Sequence, residues 1–137
     1  MAFENLPSDW STRPLDDVTL CHDVVDLCVS FQDRASSSML TLYADEHDVP
    51  IGAPVLVAGV EWGCASAERR EAVDLMTGMG PPAVLFGISS RTPIPEPTAQ
   101  RWLEEAERAC RAAEVRLLGF YSVDMEGIRQ LSAVPSS

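Results

Sequence analysis

The chain has 137 residues, 21 Asp and Glu against 10 basic residues, and a net charge of −11 at pH 7. That length suits one domain with one hydrophobic core, and an apolar fraction of 46% is too high for a disordered chain. All ten basic residues are arginine, so a Schiff-base lysine, a P-loop lysine and a lysine general base are excluded. The acidity argues against a nucleic-acid partner, because such affinity comes from Lys and Arg displacing counterions, and it fits either solubility or a field that steers a basic partner.

Along the chain, residues 1–15 carry Pro7, Trp10 and Pro14 and read as an irregular arm docked by Trp10. From an N-cap at Asp16 or Asp17, apolar residues recur at Val18, Cys21, Val25 and Cys28 and again at Leu20, Val24, Leu27 and Phe31. This spacing predicts a first helix with a wide buried face. Ser38 to Ala44 alternates, with Leu40, Leu42 and Ala44 on one side and Met39, Thr41 and Tyr43 on the other, so it predicts a strand. The acidic turn Asp45–Asp48 leads to a second, mostly buried strand over Ala53–Val60, and the two strands form a hairpin.

Ser66 caps a second helix that carries Glu68 in its first turn and ends at Gly78 and Gly80. A third strand spans Ala83–Ile88. The next nine residues, Ser89–Pro97, hold three prolines and read as a surface loop. Thr98 then caps the clearest helix, with Trp102, Leu103, Ala106, Ala109, Cys110 and Ala113 facing inward and Glu104–Arg108 and Glu107–Arg111 paired on the solvated side. Arg116–Val123 and Ile128–Leu131 are strands around the turn Asp124–Gly127, followed by a polar tail over 132–137. The expectation is one α/β (α+β) domain over 16–131, ordered αββαβαββ, with a mixed sheet of about five strands flanked by three helices in a three-layer-like arrangement.

The stretch Pro93–Val123, PIPEPTAQRWLEEAERACRAAEVRLLGFYSV, resembles the C-terminal half of the RadC-like branch of the JAB/MPN domain family. There a loop with Pro and Ser leads into an amphipathic helix, an Arg-Leu-Leu strand and a final hairpin. The upstream hairpin, helix and strand are similar in order and spacing, so the resemblance covers about residues 15–131. It implies a JAB/MPN-like fold. The family's His-x-His pair falls on Phe86 and Ile88, or on Ile88 and Ser90, and its serine and aspartate fall on Glu96 and Ala99. Apolar side chains cannot ligate zinc, so the resemblance implies a scaffold without the peptidase metal, and no other cofactor is expected.

Several residues remain candidates for chemistry or binding. Cys64 stands just before the second helix, where the positive helix end favours a thiolate, but neither His22 nor His47 is near in sequence. The four cysteines include no Cys-x-x-Cys pair and read as free thiols. Asp45, Glu46, His47 and Asp48 lack the spacing of a calcium loop and read as a solvated turn. Ser89, Ser90 and Arg91 follow a buried strand where the family's groove opens, and Glu61 and Trp62 end the hairpin beside it.

Two functions remain open. One is a non-catalytic, metal-free binding or assembly module that holds a protein or peptide partner, or a second copy of itself, through this groove or an exposed strand edge. The other is a cysteine-dependent enzyme or thiol redox sensor using Cys64. Without a signal-like start or a long apolar run, the chain is expected to be cytoplasmic, with no membrane partner. For a homodimer or partner contact, the hairpin containing Ser38–Ala44, which carries no charge and is the less protected edge if it is one, or the neighbouring first helix is expected rather than the charged face of the helix from Thr98.

Overall fold

The computed structural model describes residues 9–78 and 80–132; the first eight residues of the arm and the tail beyond Ser132 lie outside the described residues. A single 3-10 turn over Trp10–Thr12 brings the arm to Leu15, which is buried and whose N–H donates to the carbonyl of Asp48. Helix α1 (Val18–Cys28) starts where the carboxylate of Asp17 accepts from the amide of Thr19 at 3.0 Å. The apolar stripe then continues, but the helix stops. Ser30 and Asp33 form a reciprocal capping box that opens a separate five-residue helix, α2 (Phe31–Ala35). The single first helix expected through Phe31 is therefore two, and the described residues hold four helices where three were expected.

Strand β1 (Met39–Ala44) alternates as its pattern predicts: Leu40, Leu42 and Ala44 enter one core cluster and Met39 and Tyr43 the other. Strand β2 is shorter than the apolar run suggests, only Val55–Val57. After α3 (Ser66–Thr77) come β3 (Ala83–Ser89), α4 (Glu96–Ala113), β4 (Arg116–Val123) and β5 (Ile128–Ser132). Pro95 stands at the N-cap of α4 and Pro97 lies in its first turn, where a missing N–H costs nothing, so α4 begins before Thr98. Ser66 is likewise the first helical residue of α3, not its cap, which is Ala65.

The sheet runs β2-β1-β3-β4-β5, antiparallel throughout except for the parallel pair β3–β4. Because β2 and β3 both oppose β1, they run the same way, and α3 crosses between them as α4 crosses between β3 and β4. Both crossovers advance in one direction across the sheet, so the usual handedness places both helices on one face. There Phe86, Ile88 and Phe120 pack with Trp102, Ala106 and Val73. The opposite face packs Leu85, Leu118 and Tyr121 against Cys21, Val24 and Val25 of α1. The result is a three-layer α+β domain with a core on each side of a five-stranded mixed sheet. Among the described residues, no helix is long and apolar enough to cross a membrane.

Two placements differ from expectation. β1 is interior to the sheet, so it offers no edge, and Thr41 in its middle is fully buried. The edge next to it belongs to β2. The loop after β3 is shorter than nine residues and not wholly on the surface: Ser89 is still strand, Ile94 is buried, and Glu96 and Pro97 are helix.

Candidate functional site

The residues around the expected groove are joined by a chain of hydrogen bonds. Trp62 is 8% exposed, and its indole N–H donates to the carbonyl of Ser89 at 2.9 Å. Trp102 of α4 stands edge-on to Trp62, with ring centroids 5.1 Å apart, and donates its own N–H to the carbonyl of Trp62 at 2.8 Å. Ser89 Oγ donates to the carbonyl of Ser38 at 2.7 Å and accepts from the amide of Ser38 at 3.1 Å. Ser90 is half-buried, its amide bonded to the carbonyl of Val123, while Glu61 and Arg91 are exposed. The structure thus brings Trp62 and Ser89 together as a sealed seam between α4 and the ends of β1 and β3. Their side chains face inward, and Glu61 and Arg91 are left on the surface beside them.

Phe86 and Ile88, where the family's histidines fall, are fully buried among apolar side chains, and Ala99 is buried in the same cluster. These residues offer a metal no donor atoms. Among the described residues, no three His, Cys, Asp or Glu side chains gather in a way that would hold an ion.

Cys64 is half-buried against the core beneath α3 and α4. His22 belongs to α1 on the opposite face, where Nδ1 lies 3.4 Å from Asp23. His47 lies beyond Ala44, at the far end of β1 from Met39 and its partner Ile88. A six-residue strand separates those ends by about 20 Å. Folding therefore brings no imidazole to Cys64. The other thiols are shifted away from reactivity: burial and then the carboxylates of Asp17, Asp16 and Asp48 push Cys21 up to about 12, burial pushes Cys28 up to about 11, and burial with Glu107 pushes Cys110 up to about 11.

The acidic turn is closed by its own backbone. Asp45 Oδ1 accepts from the amides of Val49 (3.0 Å) and His47 (2.8 Å), which hold its carboxyl below the usual range. Arg116 donates to the carbonyls of Glu46 and Asp45 and pairs with Asp48. An open cleft of ≈ 540 Å³ lies between α3 and α4, lined by Ser66, Ala67, Arg70, Glu71, Asp74 and Glu105. Its charges largely answer one another: the buried Glu105 carboxylate pairs with Arg108 and lies 3.7 Å from Arg70, and Arg108 reaches Asp74 at 2.7 Å. Arg108 thus ties α4 to α3 in place of the expected pair with Glu104.

The exposed strand edge expected at Ser38–Ala44 lies instead at β2, the outer strand of the sheet. The ten residues Ile51–Val60 contain no polar side chain, and Ile51, Leu56 and Val57 are large and exposed. Gly52 and Gly59, both with positive φ and with nothing within 4 Å of an added Cβ, turn the chain into and out of this ribbon. The amide of Ile51 donates to Tyr43, and Ser38 accepts from Ser89, so odd-numbered residues of β1 direct their backbone groups to β2 and even-numbered ones to β3. Pairing Met39 with Val57 and Thr41 with Val55 thus leaves Leu56 with its N–H and C=O directed outward.

Fold and site together define a three-layer α+β domain with a sealed strand-end seam and an apolar strand edge. Compared with protein-family models, curated proteins and solved structures, the chain matches none.

Proposed function

We propose that this chain is a non-catalytic, metal-free binding or assembly module on a JAB-like scaffold, and that it takes an extended protein segment onto the outer edge of β2. The observation that carries the reading is the ribbon Ile51–Val60. Leu56 turns its N–H and C=O outward between apolar side chains with no charge beside them, which leaves an unpaired donor and acceptor that a further strand can use. Strand addition uses these features: main-chain bonds for affinity and alternate side chains for selectivity. The RadC-like resemblance supports the scaffold through element order, since a hairpin, a helix, a strand, a helix and a final hairpin follow one another here. The sealed Trp62–Ser89 seam favours the edge over the groove. The alternative at Cys64 has no imidazole beside it to support it.

A photoreactive benzophenone side chain at Val57 (39% exposed) tests the reading in cells. Cross-linked species are expected there, and none from the same group at Leu75, which is 72% exposed on α3. Proline is tolerated where a strand N–H faces solvent, so Leu56→Pro keeps the β1 ladder, removes the outward donor and should abolish the adducts. Equal adducts at both positions, or adducts indifferent to Leu56→Pro, would remove the proposal.

A further inference from the structure

We infer that the strand accepted by β2 comes from a basic partner: an extended segment of alternating apolar residues flanked by Lys or Arg, and not from a second copy of this chain. The inference rests on the strand-edge reading and adds the chemistry of the occupant. The charge is unevenly divided along the sequence: residues 1–63 hold eleven Asp and Glu against two arginines, whereas residues 64–137 hold ten against eight. Both arginines of the first part are already engaged within it, Arg13 with Asp9 and Arg34 with Asp26. This acidic part builds α1, α2 and the β1–β2 hairpin, while the more balanced part builds α3 and α4.

The uncharged ribbon is therefore bounded by acid at both ends. The turn Asp45–Asp48 precedes it, where Arg116 offsets part of the charge but Glu46 is exposed, and the exposed Glu61 follows it. A strand laid along β2 in either direction brings its two ends to these carboxylates. Lysines or arginines there gain Coulomb attraction to exposed carboxylates, which salt screens. A second copy laid antiparallel would bring the Asp45–Asp48 turn of each chain to Glu61 of the other, acid on acid, with −11 on each molecule.

Three fluorescent peptides and the full-length chain test this by anisotropy. The first has a core of alternating Val and Thr with two lysines at each end, the second replaces the lysines with glutamates, and the third is the lysine peptide N-methylated at every core residue. The first is expected to bind about tenfold more tightly than either other, to weaken as salt shortens the Debye length from about 14 to about 6 Å, and to lose several-fold with Leu56→Pro. If the glutamate peptide binds as well as the first, the edge accepts strands but the basic partner is wrong. If the N-methylated peptide binds equally, attraction is charge alone and both readings fail. Absence of peptide binding together with sedimentation of a dimer that Leu56→Lys dissociates would keep the edge and make the occupant a second copy; a monomer without peptide binding overturns both. The N-methylated peptide keeps the test decisive even if Leu56→Pro fails to fold.

Discussion

Trp102 and Trp62, forty residues apart, are joined by a 2.8 Å hydrogen bond from indole to backbone carbonyl and by an edge-to-face contact. Trp62 passes the linkage on to Ser89, so α4, the segment after β2 and the end of β3 hold one another. Trp62→Ala should cost about 3–5 kcal/mol in urea unfolding, as for other large aromatic truncations. Trp62→Phe keeps a ring but leaves the Ser89 carbonyl without this donor and should cost about 1–3 kcal/mol. An unchanged urea midpoint in Trp62→Phe would show that the seam adds nothing to stability.

Thr41 presents the opposite case. It is fully buried in β1 opposite Phe86, and its hydroxyl finds no hydrogen-bond partner among the described residues. Thr41→Val removes an unsatisfied polar group at nearly constant volume and should stabilise the fold by about 1 kcal/mol. Thr41→Lys should unfold the domain, because the position is interior. A loss of stability in Thr41→Val would mean that the hydroxyl has a partner after all.

Arg34 is buried with its three donor groups separately engaged: Nε to the carbonyl of Val29 (3.0 Å), Nη1 to that of Asp124 (3.2 Å) and Nη2 to Asp26 (2.9 Å). Removing it takes the buried charge partner from Asp26 and leaves the carbonyls of Val29 and Asp124 without these donors, so Arg34→Ala should cost about 3–5 kcal/mol. Arg34→Lys keeps the charge but loses the planar fork, and should cost about 2 kcal/mol by the same assay. Equal stability of the Arg34→Lys variant and the wild type would show that charge alone suffices.

The buried thiols set an alkaline limit. Below the ordinary thiol value near 9, Cys21, Cys28 and Cys110 are protonated in both folded and unfolded chains and stability does not depend on them. Above it the unfolded chain releases these protons while the folded chain keeps them to about 11 or 12, so stability falls as pH rises. Burial raises Tyr43 and Tyr121 as well and extends the same trend. The urea midpoint should be flat from about pH 7 to 8.5 and fall beyond about 9, less steeply in Cys110→Ala. A midpoint that rises across that range would contradict the burial of these groups.

What could be read from the sequence follows the kind of interaction involved. The faces of β1 and α4 were legible because burial imposes a period on neighbouring residues. The split between α1 and α2 was not, since a capping box at Ser30 and Asp33 interrupts a stripe whose apolar spacing continues unbroken. The run Ala53–Val60 looked buried because apolar runs usually are; only the sheet order shows that its middle is an outer strand. The seam at Trp62 depends on a backbone carbonyl 27 residues on, which accepts its indole N–H, and on an indole 40 residues on, which donates to its own carbonyl; no side-chain pattern encodes either.

The bond from Arg34 to the carbonyl of Asp124 also bears on the timing of synthesis. Synthesis from the N-terminus makes α1 and α2 before the sheet of this domain, yet the acceptor that fixes the α2 guanidinium emerges ninety residues later, with the turn before β5. Domains of this size close as units once their distant parts have met. Although made before the strands they pack on, these two helices are therefore among the last parts of the domain to be locked, and until then the apolar face of α1 must wait for β4.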